Sequence, residues 1–202
     1  MERIKSIVFD LGGVIFLSDG GSYEGREKLA KRIKADKEKL HELWFKDKEN
    51  LITGKMSEKE FLKKVLKLSR DEISLNDLRE IIREENKIDD EMVELLKKLN
   101  QKYFLVILNN EIKEWNEYRI KKFKLKDHFR LIVSSCDVGF AKPTPEIYKI
   151  LLNRLNMLPG EIIFIDNRLE NLVPAENLGI KTHLFKDKEE LINWFNIIGI
   201  IL

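Results

Sequence analysis

The sequence predicts an α/β fold: a parallel sheet wrapped by helices, with an all-helical block inserted after the first strand. Three observations predict it. Short, branched apolar runs recur along the chain, separated by stretches of helical periodicity, which is the pattern of strand–helix–strand units. Between residues 18 and 90 the periodicity is helical throughout, with no convincing strand. Polar residues stand at the ends of four of the runs, and in a parallel sheet such ends face one side.

The elements follow in order. The run 4–9 has the length and branching of a buried strand, and Asp10 falls at its end. Gly12 and Gly13 then let the backbone turn tightly and come close to a ligand. Ser18, Asp19, Gly20, Gly21 and Ser22 have the composition of a loop. Leu29 and Ile33, then Leu40, Leu43 and Trp44, recur at helical spacing. Ser57 with Glu60 is a capping box before Phe61, Leu62, Val65 and Leu66. Ser74 with Asp77 opens another helix, carrying Leu78, Ile81 and Ile82. The apolar and aromatic stripes here read as packing.

After Asp89 and Asp90 the pattern alternates. A helix with Met92, Leu95, Leu96 and Leu99 leads to the run 103–108, which ends in Asn109 and Asn110. A helix with Trp115, Tyr118 and Ile120 precedes the run 131–134. Ala141-Lys142-Pro143-Thr144-Pro145 opens a helix with Pro145 in its first turn and Ile150, Leu151 and Leu155 on its buried side. The run 162–165 ends in Asp166 and Asn167; a helix then stops at Gly179, and a strand is expected over 181–185. Asp187 with Glu190 reads as a last capping box before Leu191, Trp194 and Phe195. The predicted organisation is a core of residues 1–17 and 91–202 and a helical unit of residues 18–90.

Composition excludes some classes. The 202 residues are 43% apolar, enough for a real core, and the net charge of +2 makes no electrostatic case for nucleic acid or a membrane surface. The apolar stretch 194–202 is far shorter than a membrane span, and is expected to cover a sheet edge or to form a contact between subunits. Cys136 is the single cysteine, which excludes an internal disulfide, fits a reducing compartment and reads as a small packing residue. With no secretory signal pattern, a cytoplasmic protein is expected. His41, His128 and His183 show no metal-ligand spacing and are expected to be structural or exposed.

Asp10, Asn109, Asn110, the loop into Lys142, Asp166 and Asn167 should therefore converge. A carboxylate at such a place is a candidate nucleophile or metal ligand; the bland alternative is a solvated Asp before a glycine turn.

These residues resemble the haloacid dehalogenase (HAD) superfamily, in the subgroup with a helical cap inserted after the first strand. The resemblance is carried by Phe9-Asp10-Leu11-Gly12-Gly13-Val14, by Leu108-Asn109-Asn110 and by Ala141-Lys142-Pro143-Thr144-Pro145-Glu146-Ile147-Tyr148. To these add Ile163-Phe164-Ile165-Asp166-Asn167-Arg168-Leu169-Glu170-Asn171 and Asn177-Leu178-Gly179-Ile180. Ile52-Thr53-Gly54-Lys55-Met56-Ser57-Glu58-Lys59-Glu60-Phe61 also resembles the caps of small phosphatase members. It implies a Rossmann-like core and a Mg²⁺-dependent phosphatase acting on a small phosphorylated metabolite, as a monomer or homodimer. Asp10 would attack phosphorus to form an aspartyl-phosphate, and Lys142 would neutralise phosphoryl charge. Gly12, Gly13, Asn109 and Asn110 would bind substrate. Asp10, the Gly12 carbonyl and either Asp166 or Asn167 would bind the metal.

The chain departs from the pattern at three positions. Gly12 stands where the family has an acid that protonates the leaving group, a role worth on the order of 10²–10⁴ in rate. Asn109 replaces a phosphate-holding Ser or Thr, and Asn167 replaces a charged metal ligand, while Asn171 matches. Glu111 or Asp19 could replace the acid, although a solvated helix-start role is the expectation for Glu111. The resemblance leaves three readings open: a phosphatase with impaired or altered catalysis, an impaired member that binds a ligand or protein, and a metal-independent 2-haloacid dehalogenase. The last lacks a secure arginine for a substrate carboxylate, with Arg26 and Arg32 unanchored in the sequence.

Overall fold

The computed structural model describes residues 3–17 and 22–202. Of the loop expected over 18–22, residues 18–21, Asp19 among them, lie outside the described residues, and Ser22 caps the helix that follows, accepting from Gly25 N–H.

The predicted alternation forms one five-stranded parallel sheet: β1 Ser6–Phe9, β2 Phe104–Asn109, β3 Leu131–Ser134, β4 Ile162–Asp166 and β5 Lys181–Leu184. Their order is β3-β2-β1-β4-β5, with every neighbouring pair parallel. β1 is therefore central. The chain builds outward through β2 and β3, then returns to the other side of β1 for β4 and β5, so the topology reverses between β1 and β4. Such a reversal opens a crevice at the carboxyl ends of the strands.

Both faces of the sheet are covered, which is why the strands read as continuous apolar runs. One face presents Ile7, Phe9, Leu105, Ile107, Ile163 and Ile165 to α5 (Asp90–Leu99) and α10 (Lys188–Ile197). The other presents Val8, Val106, Leu108 and Phe164 to α8 (Pro145–Leu155) and α9 (Leu169–Asn177). Pro145 is at the start of α8, as predicted. The apolar stretch after Trp194 does more than flank an edge: Phe195 and Ile200 are buried in the first face. Trp194 stacks on His183 of the edge strand β5, with ring centroids 4.1 Å apart.

The helices of the inserted stretch are α1 (Tyr23–Arg32), α2 (Lys37–Ile52), α3 (Glu58–Leu66) and α4 (Leu75–Glu84). They share a separate apolar cluster built on Ala30, Ile33, Leu40, Leu51, Leu62 and Leu78. Both capping boxes, at Ser57 and Ser74, are formed in full. The third is only half formed: Asp187 accepts from the Glu190 N–H, but Glu190 turns its carboxylate to His183 instead. The chain leaves and re-enters the core side by side. Leu17 N–H donates to Lys87 O (2.9 Å), Asp89 N–H donates to Ile15 O (3.0 Å), and Phe16 and Ile88 form an antiparallel bridge. Among the described residues, no helix is long and apolar enough to cross a membrane.

Candidate active site

The register of the two central strands sets the site. Phe9 pairs with Ile165, and Asp10 N–H donates to Ile165 O at 2.9 Å, so Asp10 and Asp166 leave adjacent strand ends together. Lys142, from the loop before α8, places its Nζ 2.7 Å from Asp10 Oδ1 and 2.6 Å from Asp166 Oδ2. The lysine side chain is 1% exposed and Asp166 0%, whereas Asp10 is 13% exposed. Asp10 is thus the member of the triad that opens to the outside. Burial alone would weaken the Lys142 charge, but the Asp10 and Asp166 carboxylates outweigh it and hold its pKa above the ordinary lysine value. A charged lysine beside a partly open carboxylate suits nucleophilic attack on an anionic substrate.

Asp166 is spent on this arrangement. Besides Lys142, it accepts from Asn171 Nδ2 at 2.9 and 3.1 Å and from Arg168 N–H at 2.9 Å. Asn110 is spent on the other end of the lysine: its Nδ2 donates to Lys142 O (2.7 Å) and its Oδ1 accepts from Lys142 N–H (2.8 Å). This reciprocal pair holds the lysine's main chain as a β-bridge would. Tyr148, buried beneath, donates its hydroxyl to Asn171 O at 2.6 Å. Burial, with Asp166 and Asp10 nearby, raises the pKa of that phenol and keeps it neutral.

Asn109 is in the cleft wall, but its side chain is tied inward. Its Nδ2 donates to Asn116 Oδ1 (3.1 Å) and its Oδ1 accepts from Ser134 Oγ (2.7 Å), while Asn116 Nδ2 donates to Ser134 Oγ (2.8 Å). The ring joins the ends of β2 and β3 to α6 (Lys113–Lys122). Glu111 corrects the expectation of a solvated helix start: it is 7% exposed and ion-paired with the equally buried Arg119 of α6. Its Oε1 also accepts from Ile112 N–H at 3.0 Å.

Gly13 and Asn167 meet. A Cβ on Gly13 would fall 2.3 Å from Asn167 Nδ2, and the Gly13 φ of 74° is one that side-chain-bearing residues avoid, so position 13 needs glycine. The Gly13 N–H donates to Phe16 O at 2.9 Å, which directs it into the turn. Asn167 Oδ1 is buried and has no hydrogen-bond partner. An orphaned buried oxygen beside the Asp10 loop fits the expected hard-cation site, whose donors would be a carboxylate, a peptide carbonyl and an amide oxygen. Among the described residues, no group of three or more His, Cys, Asp or Glu could hold a metal.

A cleft of about 130 Å³ lies over these groups, with Asp10, Gly12 and Lys142 on the core side. Trp44, Lys48 and Ile52 of α2 line it from the inserted helices, and Trp115 and Arg168 from the core. The sequence reading placed none of the five at the site. Trp115 is held by the inserted helices: its Nε1 donates to Glu58 Oε1 at 3.0 Å, and Arg79 Nε donates to Glu58 Oε2 at 2.7 Å. Glu58 is 3% exposed. A second contact is at Gly54, where a Cβ would stand 2.5 Å from the Cys136 carbonyl oxygen, in the short helix α7 (Ser135–Val138). Cys136 is no nucleophile: burial, then Asp137 and Glu111, push its thiol up to about 12. Arg26 and Arg32 do not line the cleft. Arg26 donates to His41 Nδ1 (2.8 Å), and Arg32 pairs with Glu84 and Glu85.

Comparisons with known proteins bear on the family and the fold. Residues 4–179 match the family model of haloacid dehalogenase-like hydrolases. The chain is 26% identical over 190 residues to D-ribitol-5-phosphate phosphatase of Bacteroides thetaiotaomicron, covering 89% of this chain and 90% of that one. It is 42% identical over 64 residues, 32% of its length, to bifunctional epoxide hydrolase 2 of Rattus norvegicus; that match spans only about an eighth (12%) of the longer protein. A crystal structure of a HAD family enzyme from Bacteroides thetaiotaomicron, in complex with magnesium and inorganic phosphate, superposes with a TM-score of 0.78 at 26% identity, covering 93% of this chain and 98% of that one.

Proposed function

Because this chain belongs to the haloacid dehalogenase-like hydrolases, we propose that it hydrolyses phosphate monoesters of a small metabolite through an aspartyl-phosphate at Asp10. The observation that carries this reading is Lys142 Nζ, set between Asp10 and Asp166 at the floor of a small cleft. In the first step Asp10 Oδ bonds to phosphorus, the ester P–O bond breaks, and its electron pair leaves with the ester oxygen. In the second, water attacks phosphorus of the acyl phosphate, the P–O bond to Asp10 breaks with its electron pair returning to the carboxylate, the water's proton passes to solvent, and inorganic phosphate is released. Lys142 offsets the charge of the incoming phosphoryl group, which a bare carboxylate would repel. Asp166 and Asn110 act through Lys142, holding its two ends, and so are positioning residues.

Asp10, the Gly12 carbonyl and Asn167 Oδ1 would hold Mg²⁺; the commitments of Asp166 to Lys142, Asn171 and the Arg168 N–H favour Asn167 over it. When bound, the ion adds positive charge against the phosphoryl oxygens. The helices α1–α4, docked through Glu58 on Trp115, would serve as a cap that limits water and substrate size. A second reading, a member that binds a ligand without turnover, rests on Asn109, whose side chain is tied to Asn116 and Ser134.

The test is hydrolysis of p-nitrophenyl phosphate with Mg²⁺ and with EDTA, by the wild type and Asp10→Asn. We expect Mg²⁺-dependent turnover that the substitution abolishes without changing the circular dichroism. Turnover surviving in Asp10→Asn would remove Asp10 as nucleophile, and absence of turnover in the wild type would favour the binding reading.

A further inference from the structure

Three segments of the chain meet on one buried guanidinium at the root of the inserted helices. Resting on the phosphatase reading for its effect on rate, we propose that Arg119 is a positioning residue. It ties the loop after β2 to the connectors of the inserted helices and so holds the Asn110 clasp on Lys142.

Arg119 is on α6 and is buried, and each part of its head group has a different partner. Nη1 donates to Glu111 Oε2, and Nε donates to Asn86 Oδ1. The ring of Phe16 has its centroid 5.0 Å from Cζ. Phe16 and Asn86 stand on the outgoing and returning connectors, which are bridged to each other at Phe16 and Ile88. Both are fixed in place. Asn86 Nδ2 donates to the Ile82 and Arg83 carbonyls at the end of α4 (3.2 and 3.1 Å). Phe16 closes the turn behind Asp10: its N–H donates to Leu11 O and its carbonyl accepts from Gly13 N–H, both at 2.9 Å.

On the other side of the guanidinium is Glu111, whose side chain is stiffly coupled to its own backbone. Its Oε1 accepts from Ile112 N–H at 3.0 Å, and its N–H donates to Ser135 Oγ at 3.0 Å. The residue before it is Asn110, whose amide grips the Lys142 main chain. A displacement of Glu111 therefore passes through one peptide to that clasp, and from there to the ammonium on Asp10. The planar fork of arginine can serve a carboxylate and an amide oxygen in different directions while lying on a ring. Lysine keeps the charge but not the fork. Arg119 and Glu111 also line the cleft, so the rival role for Arg119 is direct contact with substrate.

Deleting the arginine would strip a buried carboxylate of its guanidinium and endanger the fold. The variants are therefore Arg119→Lys, which keeps the charge, and Asn86→Ala, which cuts the connector and leaves the ion pair. Four quantities are measured: kcat and KM on p-nitrophenyl phosphate with Mg²⁺, the inhibition constant of inorganic phosphate, and hydrogen exchange at the Lys142 N–H. We expect both variants to lower kcat, Arg119→Lys by about tenfold or more. KM and the phosphate constant should stay within about twofold. Exchange at Lys142 should quicken while the amides of β1 and β4 keep their protection. In the Asn110→Ala background, where the clasp is already lost, Arg119→Lys should cost little more.

A raised KM with weaker phosphate inhibition at unchanged kcat would make Arg119 a substrate ligand and overturn the proposal. Unchanged kcat and exchange in folded Arg119→Lys would overturn it too, as would an undiminished loss in the Asn110→Ala background. If the wild type turns over no substrate, exchange decides alone. Selective quickening at Lys142 would then uphold the positioning role and take down only the phosphatase reading, and unchanged exchange would take down both.

Discussion

Asn110 shows how a single side chain can govern chemistry it does not perform. Its amide has one donor and one acceptor matched to the carbonyl and N–H of Lys142, so replacing it frees the lysine's main chain rather than removing any charge. Asn110→Ala should lower kcat by about 10²-fold, the usual cost of misplacing a reacting group by roughly 1 Å. KM should change little, and Lys142 should remain charged. Steady-state kinetics on p-nitrophenyl phosphate separates the two constants; an unchanged kcat would reduce Asn110 to a structural residue. Cys136 gives a prediction of the opposite kind. Its thiol is raised to about 12, and since only the thiolate reacts, the reactive fraction near pH 8 should be on the order of 10³ below that of a free cysteine. Iodoacetamide labelling followed by mass spectrometry should therefore be slow at pH 8 and accelerate as pH rises towards 12. Fast labelling at pH 8 would show that α7 opens. At this scale the sequence placed Asp10, Lys142 and Asp166 at one site, because strand-end positions in a parallel sheet are legible from periodicity. The environments of Asn109 and Glu111 were not legible, because their partners Asn116, Ser134 and Arg119 are set by how α6 packs.

At the scale of elements, α3 joins the inserted helices to the core. Its start was readable from Ser57 and Glu60, since a capping box closes within one turn and needs no distant partner. Glu58, inside the same box, was not: its partners Arg79 and Trp115 lie 21 and 57 residues away. Glu58→Ala leaves an indole N–H without its acceptor and should cost about 1–3 kcal/mol. Glu58→Gln keeps a carbonyl oxygen for Trp115 and should cost less. Urea unfolding with tryptophan emission as the probe measures both, and equal losses would show that the charge on Arg79, not the indole bond, holds the joint. The half-formed box at Asp187 makes the same point from the other side. Local spacing predicted it, but Glu190 found a better partner in His183 across the α10–β5 contact.

For the whole molecule, the question is whether the inserted helices and the sheet core unfold together. The helical cluster includes Ile112 and Trp115 of the core, and Glu58 and Gly54 hold it to α6 and α7, so the two units share one apolar boundary. Unfolding should therefore be a single cooperative transition. Trp44 and Trp115 report the boundary and Trp194 reports the sheet, so variants keeping one set or the other allow the comparison. Coincident denaturation midpoints are expected, and a boundary that melts first would make the inserted unit an independent lid.

By itself, the sequence determined the class of fold, the order of strands and helices along the chain and the side of the sheet where function gathers. These follow from short-range rules: alternation, helical spacing, caps and strand-end polarity each act within a few residues. Tertiary structure alone decided which of the gathered groups remain available. It committed Asp166 to Lys142 and Asn171, turned Asn109 inward and paired Glu111 with Arg119, while leaving Asp10 partly open and Asn167 Oδ1 without a partner. The physical reason is that a buried polar group must find a partner, and which partner is within reach depends on elements that meet only when the sheet and helices pack.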